Sequence, residues 1–507
     1  MSNPERRETA VELPRAPSPE SAGIPSRAVL RFLDRIERER VPMHGLLLVR
    51  RGRIAAEGYW APFTAESRHR MYSVSKSFVS LAVGLMVDEG RFSLDDRVAD
   101  LLPDKVPDDA HPWAADPWAA HPWARAATVR HLLTMATQNS KTSYTPADAD
   151  WARTFFAVEP SHPPGTLFNY DTAATVVLTT IVERLAGATF LDYLRPRLLD
   201  AIGFSPDAWC VETPEGTSWG GSGVICTLRD MAKVAHVCMH GGRWGGAELL
   251  PEWYVREATT KQIDNTIIHG KHGYGYQIWR LPENGFGFVG MGSQLAYCFP
   301  DRDFEFACTA DTQGIGPTGE GVVDAMWDEL YANLSDESLP EDPQAAAELE
   351  ARLAGLRLLP RAGAATSPLA ARISGRWYEL EPNPMRIERL RVDLGVERGT
   401  LRYAKAGAEK RIDFGLGRQV DGTFPETHYY GRRIGVPAGR EYRCLASAAW
   451  VEESKLDLLV YITDDYLGTL RASLSFTGDE VGVHMTKVAE WFLDEYEGFA
   501  GGRAGRT

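Results

Sequence analysis

The chain has 507 residues, 55 Lys plus Arg against 69 Asp plus Glu, and a formal net charge of −14. That sign opposes attraction to phosphates, and it argues against a binder of nucleic acid or of anionic membranes. Hydrophobic content of 44% and charged content of 24% exclude disorder throughout and leave room for at least one large core.

Residues 1–22 are polar and Pro-rich, and read as a flexible N-terminal arm with no apolar stretch resembling a signal peptide. From Ser26 a helical pattern carries Val29, Leu30, Phe32, Leu33 and Ile36. Gly45–Tyr59 reads as two short strands joined by a turn at Arg51-Gly52-Arg53, and a helix over Ser75–Glu89 is stopped by Gly90. Residues 106–127 repeat His111-Pro-Trp, Asp116-Pro-Trp and His121-Pro-Trp, which places Trp113, Trp118 and Trp123 in register on an extended insertion loop. An apolar helix follows over Ala174–Leu185. Residues 336–368 change texture to a linker with a short helix over 345–357. Beyond Ile373 the pattern turns to period two, as in Leu456, Leu458, Val460, Ile462 and Leu470, Ala472, Leu474, Phe476. The predicted organisation is an arm (1–22), a catalytic unit (23–335), a linker (336–368) and an antiparallel β-barrel-like unit (369–500). The last opens on Gly375-Arg-Trp377, a Gly-x-Trp reminiscent of lipocalin barrels. Its expected role is that of a structural accessory.

Six cysteines (Cys210, Cys226, Cys238, Cys298, Cys308 and Cys444) are thinly spread with no C-x-x-C, which fits neither a disulfide framework nor a zinc site. With the polar N-terminus this predicts a cytoplasmic protein without a metal. No phosphate loop, H-E-x-x-H or other cofactor motif occurs, so no cofactor is expected.

The chemistry concentrates in Met71-Tyr-Ser-Val-Ser-Lys-Ser-Phe-Val-Ser80. Ser73 and Lys76 have S-x-x-K spacing, which places both on one helix face. Ser73 falls at the helix start, where free N–H groups favour an oxyanion, and a lysine of lowered pKa can take its proton. Lys76 alone among the lysines has Ser or Thr three residues before it. The bland alternative is a serine N-cap followed by a surface lysine. Tyr170 precedes the apolar helix, and a phenol near a cationic lysine can act as a phenolate-like base and then as an acid. His131 lies in a helix start and reads as structural. No Gly-x-Ser-x-Gly elbow supports a Ser–His–Asp triad.

Several segments stand in a recognisable order: Met71–Phe78, Val129-Arg-His-Leu-Leu-Thr-Met135, Pro164-Gly-Thr-Leu-Phe-Asn-Tyr170, Gly220–Asp230, Gly273-Tyr-Gly-Tyr-Gln-Ile-Trp279 and Gly290-Met-Gly-Ser-Gln-Leu295. Together, over about residues 20–335, they resemble the serine β-lactamase/penicillin-binding-protein-like family, in its class C-like and esterase-like branch. The resemblance implies an α+β fold of the β-lactamase/transpeptidase type, with an antiparallel sheet flanked by helices and a helical subdomain. It also implies an acyl-enzyme serine hydrolase, with Ser73 as nucleophile, Lys76 as activating lysine and Tyr170 as the tyrosine of the second element. Thr172 stands where the family often has Asn. The third element, usually K-T-G or H-x-G, is replaced by Gly290-Met291-Gly292, leading into Ser293 and Gln294, with no cation. Lys271-His272-Gly273 mimics it but lies too early in the order. Thr172, Gly292, Ser293 and Gln294 are therefore the expected substrate-binding and oxyanion residues.

Loss of the cation removes a hold on substrate carboxylates, which favours esters or amides over β-lactams and D-amino peptides. A non-catalytic binding protein on the same fold is the alternative of another class. The expected partner is a small ester or amide substrate. No nucleic acid or membrane is expected, and a homodimer is left open.

Overall fold

The computed structural model describes residues 12–107, 121–265, 272–313 and 320–505. The predicted tight turn after the first strand forms as expected. Arg51 and Gly52 both take positive φ, +52° and +67°, and a two-residue loop of that kind matches the twist of a hairpin. The hairpin joins Met43–Arg50 to Arg53–Tyr59 and forms one side of a six-stranded antiparallel sheet. The order continues through Phe304–Ala310, Gln294–Phe299, Phe286–Gly290 and Trp279–Arg280. Met43–Arg50 is buried along its whole length, because helix Leu228–Met239 packs on the sheet behind it. The sequence shows this as a continuous apolar run rather than an alternation.

A helical layer stands at the far end of the sheet. Its central pair is Val74–Asp88 against Thr172–Ala186, both almost wholly buried, with Trp151–Ala157 and Val129–Leu133 packed around the second helix. The first of the pair is held by its own hydroxyls. Ser77 Oγ donates to the Gln277 carbonyl (2.9 Å) and Ser80 Oγ to the Tyr276 carbonyl (2.7 Å), while Ser75 Oγ accepts from Val224 N–H (3.0 Å). Gln277, at φ +59°, gathers the rest. Its Nε2 donates to the Leu132 carbonyl at 2.7 Å, and its Oε1 accepts from Thr175 Oγ1 at 2.8 Å. The serines in Ser75–Ser80 are thus buried hydrogen-bonding groups inside an apolar helix.

The period-two region forms a closed barrel of nine strands. Trp377–Leu380, Ile387–Leu394, Arg398–Lys405 and Ala408–Leu416 meet Tyr442–Glu452 in a short parallel seam. Lys455–Thr463, Leu467–Thr477, Glu480–Val488 and Gly498–Ala504 then return to the first strand. The seam departs from a fully antiparallel barrel because Val420–Phe424 intervenes in the chain. Two reversals leave the strands on either side of it running the same way. The alternating residues predicted from the pattern, Leu456 through Ile462 and Leu470 through Phe476, are all buried. The final strand ends at Ala504, beyond the 500 expected from sequence.

Two segments expected to be loose are packed. The arm is described from residue 12, where Leu13 and Glu20 are already buried. The Glu20 carboxylate accepts from both the N–H and the hydroxyl of Ser26, at 2.7 and 2.9 Å. In the 336–368 segment, helix Pro343–Ala354 buries Leu349, and Leu356 and Leu358 bond backbone to backbone with Ala61. In both cases a few apolar residues among polar ones are enough to seat the segment. Within the Trp-rich stretch, Trp113 and Trp118 lie outside the described residues. Pro122–Ala126, which holds Trp123, is a short helix rather than extended chain, with Pro at its favoured first turn.

Candidate active site

Ser73 is the N-terminal boundary residue of helix Val74–Asp88, and its side chain makes no capping hydrogen bond. The hydroxyl instead accepts from Lys76 Nζ at 3.0 Å. The bland reading of a serine cap with a surface lysine is thereby displaced, since Lys76 is 1% exposed. Tyr72, immediately before Ser73, is buried at φ +46°, a strained conformation for an aromatic residue.

Lys76 Nζ also donates to the Gly221 carbonyl at 2.6 Å and lies 4.9 Å from the centre of the Tyr170 ring. Burial pulls its pKa from 10.5 down to about 7. Glu490 and Asp171 pull it partly back, and Arg70 pushes it further down. A lysine poised near neutrality exchanges a proton with a hydroxyl 3 Å away far more readily than an exposed one.

The Tyr170 ring stacks on Trp279 (centroids 5.3 Å apart) and meets Tyr274 edge-on. Burial drives its phenol well above the ordinary range, and interaction with Ser73 only partly offsets this. That direction favours the protonated phenol, the form in which Tyr170 would serve as the acid of the expected base-then-acid pair. Burial is the dominant cause of the rise.

Asp171 follows and caps helix Thr172–Ala186, accepting from Ala173 N–H at 2.9 Å. It is fully buried, and burial raises its carboxyl to about 6. Sequence reasoning passed over Asp171, although an Asp directly before an apolar helix is a capping signal. Thr172 is the first residue of that helix. Its N–H donates to Thr142 Oγ1 at 3.1 Å, and its methyl lies against Gly221, where an added Cβ would come within 2.5 Å of it.

The third element lies beside the nucleophile. A Cβ on Gly290 would come within 2.3 Å of the Met71 carbonyl and 3.3 Å of Val74 Cγ2. Gly292 (φ +76°) and Ser293 (φ +68°) form the turn into strand Gln294–Phe299. Ser293 Oγ pairs with Thr312 Oγ1 at 2.8 Å. The Gln294 amide donates to the Ala310 carbonyl at 2.6 Å and to the carbonyls of Met291 and Gly292 at 3.2 Å. These two side chains shape the turn, and its backbone is what the site has to offer. His131 is structural, as its Nδ1 accepts the Thr128 N–H in a capping box. Lys271 lies outside the described residues.

The cysteines are all free thiols. Among the described residues no single helix is long and apolar enough to cross a membrane.

The chain as a whole is similar to several known proteins. The Beta-lactamase family profile matches residues 32–321. A 6-aminohexanoate-dimer hydrolase of Paenarthrobacter ureafaciens is 28% identical over 260 residues, 48% of this chain and 66% of that protein. The chain thus spans just under two thirds of that relative's length. A Bacillus anthracis protein assigned by name to the 6-aminohexanoate-dimer hydrolases superposes with a TM-score of 0.52 at 17% identity, covering 66% of this chain and 90% of its own. The structure of SurE with D-Leu gives 0.50 at 17% identity, covering 86% and 97%. At these identities the two structures speak for the fold. With over half its length matched by the family profile, the chain belongs to the Beta-lactamase family.

Proposed function

We propose that the protein hydrolyses an ester or amide through a covalent acyl-enzyme on Ser73. The observation that carries this reading is the contact between Ser73 Oγ and a buried Lys76 whose pKa lies near 7. Neutral Lys76 takes the Ser73 proton as Oγ attacks the substrate carbonyl carbon. The Tyr170 phenol passes a proton to the departing alcohol or amine as the C–O or C–N bond breaks. Lys76 hands the proton it took to the Tyr170 phenolate, which resets both groups. Water then attacks the acyl-serine and gives a proton to neutral Lys76, which returns it to Ser73 Oγ as the acyl C–O bond breaks. The Ser73 N–H at the helix start and a backbone N–H of the Gly292–Ser293 turn are the proposed oxyanion donors.

The turn Met291-Gly-Ser carries no cation, which favours substrates without a carboxylate to be held there. The name of the Paenarthrobacter relative makes a 6-aminohexanoate dimer an amide to assay beside uncharged esters, and any free carboxylate on it should count against turnover here. We place the protein in the cytoplasm, acting on a small molecule and with no nucleic-acid partner.

The test is intact mass after a fluorophosphonate and, separately, a penicillin, with Ser73→Ala as control. A fluorophosphonate adduct absent from Ser73→Ala supports an esterase-like site. A lasting penicillin adduct would move the assignment towards β-lactams. A folded wild type that takes neither reagent would favour a non-catalytic binder.

A further inference from the structure

Gly221 supplies the carbonyl that Lys76 grips, so whatever holds the Trp219–Gly223 turn also holds the lysine. The two residues flanking Gly220 and Gly221 are both held with help from the barrel. Ser222 is fixed by Arg70, whose Nε donates to the Ser222 carbonyl and Nη2 to the Ser222 hydroxyl, each at 2.9 Å. Arg70 is fully buried, with its guanidinium 4.4 Å from the Trp219 ring centre, 4.5 Å from Tyr72 and 5.5 Å from Tyr466. Its carboxylate partner among the described residues is Glu490, at 2.6 Å. Trp219 stacks face to face on Trp491, with centroids 5.1 Å apart and planes 6° apart. Glu490 and Trp491 sit together between the last two barrel strands, more than 400 residues from Ser73.

We infer that the Glu490–Trp491 segment of the barrel is part of the hydrolase site, with Glu490 and Arg70 as positioning residues for Lys76. Glu490 neutralises Arg70, Arg70 ties down Ser222, and the turn then presents the Gly221 carbonyl to Nζ. A buried guanidinium without its carboxylate is strongly unfavourable, so loss of Glu490 has to be felt along this chain of contacts. The charged groups around Lys76 are Asp171 from the Thr172–Ala186 cap, Arg70 from the strand before Ser73 and Glu490 from the barrel. Glu490 is the one that draws positive charge onto Lys76 from outside the hydrolase unit.

This inference rests on the acyl-enzyme reading and is tested on the full chain by the rate of fluorophosphonate labelling at Ser73 between pH 5 and 9. In Glu490→Gln, removing the negative charge is expected to move the inflection near pH 7 to lower pH. Glu490→Asp, which keeps the charge, should return it towards the wild-type position. A purely structural role would lower the yield of active protein and leave the inflection in place. An unchanged inflection in folded Glu490→Gln overturns the inference.

Should Glu490→Gln fail to fold, the pair is removed together in Arg70→Met/Glu490→Leu. Labelling is then expected to slow at least tenfold in a folded protein, and an unchanged rate overturns the inference. The two readings fail separately. A wild type that labels no better than Ser73→Ala sinks the acyl-enzyme, whereas labelled wild type with unmoved Glu490 variants sinks only the barrel's part.

Discussion

Replacing Lys76 with Met keeps most of the side-chain volume and removes the ionisable group, so it isolates what burying that amine does to the fold. The native pKa of about 7 lies some 3.5 units below the ordinary 10.5. Between those values the unfolded chain holds a proton on this lysine and the native chain does not. Stability therefore rises with pH across the window and is flat in this respect below 7. From pH 6 to pH 9 the wild type should gain about 2.5 kcal/mol relative to Lys76→Met, at about 1.36 kcal/mol per unit. Asp171 adds in the same direction, because losing Lys76 raises its carboxyl further and makes the variant lose stability as that group ionises. The assay is urea unfolding of both proteins at pH 6, 7.5 and 9, comparing midpoints at equal m-values. Parallel pH profiles would mean that Lys76 is not held neutral by burial, and the proposed base would lose its physical footing.

Tyr170→Phe keeps the stack on Trp279 and deletes the hydroxyl. Turnover of a p-nitrophenyl ester should fall by about 10²-fold or more with little change in melting temperature, and a loss under twofold would remove Tyr170 from the proton path. Gly220→Ala would drive a Cβ to 2.1 Å from Thr179 Oγ1 and 2.5 Å from Val79 Cγ2. A loss of about 2 kcal/mol or more is expected in denaturant unfolding. His44 and His69 are buried together, Nδ1 to Nε2 at 3.1 Å, and burial holds His69 at about 4 and His44 well below 6.5. Because the unfolded imidazoles bind protons first, stability falls as pH drops from 6.5 towards 4, by about 3 kcal/mol for His69 alone. His69→Gln should flatten that acid limb in pH-dependent unfolding, and an identical limb would place the acid sensitivity elsewhere.

What the sequence discloses about this site follows from the range of the interactions. Ser73 and Lys76 are three residues apart on one helix, so their meeting is local geometry and was legible. Tyr170 was legible through an ordered set of segments rather than through its own surroundings, because the burial that raises its phenol pKa depends on distant packing. Gly221, Glu490 and Trp491 reach Lys76 or its supports from 145 to more than 400 residues away. No spacing rule connects such positions. Ser75, Ser77 and Ser80 lie either side of Lys76, and their bonds to Val224, Gln277 and Tyr276 exist only once the loops have packed. The barrel was visible as alternation, while its closure through a parallel seam depends on how Val420–Phe424 turns the chain.

The strand Arg53–Tyr59 lies at one border of the six-stranded sheet, and other segments of the chain pack against it at both ends. Ile54 exchanges backbone hydrogen bonds with Pro14 and Ala16, and Gly58 faces Leu353 and Leu356 of the segment leading to the barrel. A bare strand border invites pairing with another molecule. The apparent spacer at 336–368 thus shields the hydrolase sheet as well as carrying the chain onward. Cutting the protein there would separate two units on paper while uncovering a sticky rim in solution. Splitting or swapping these units at that point trades modularity for solubility, and a workable boundary has to leave residues 343–358 with the hydrolase.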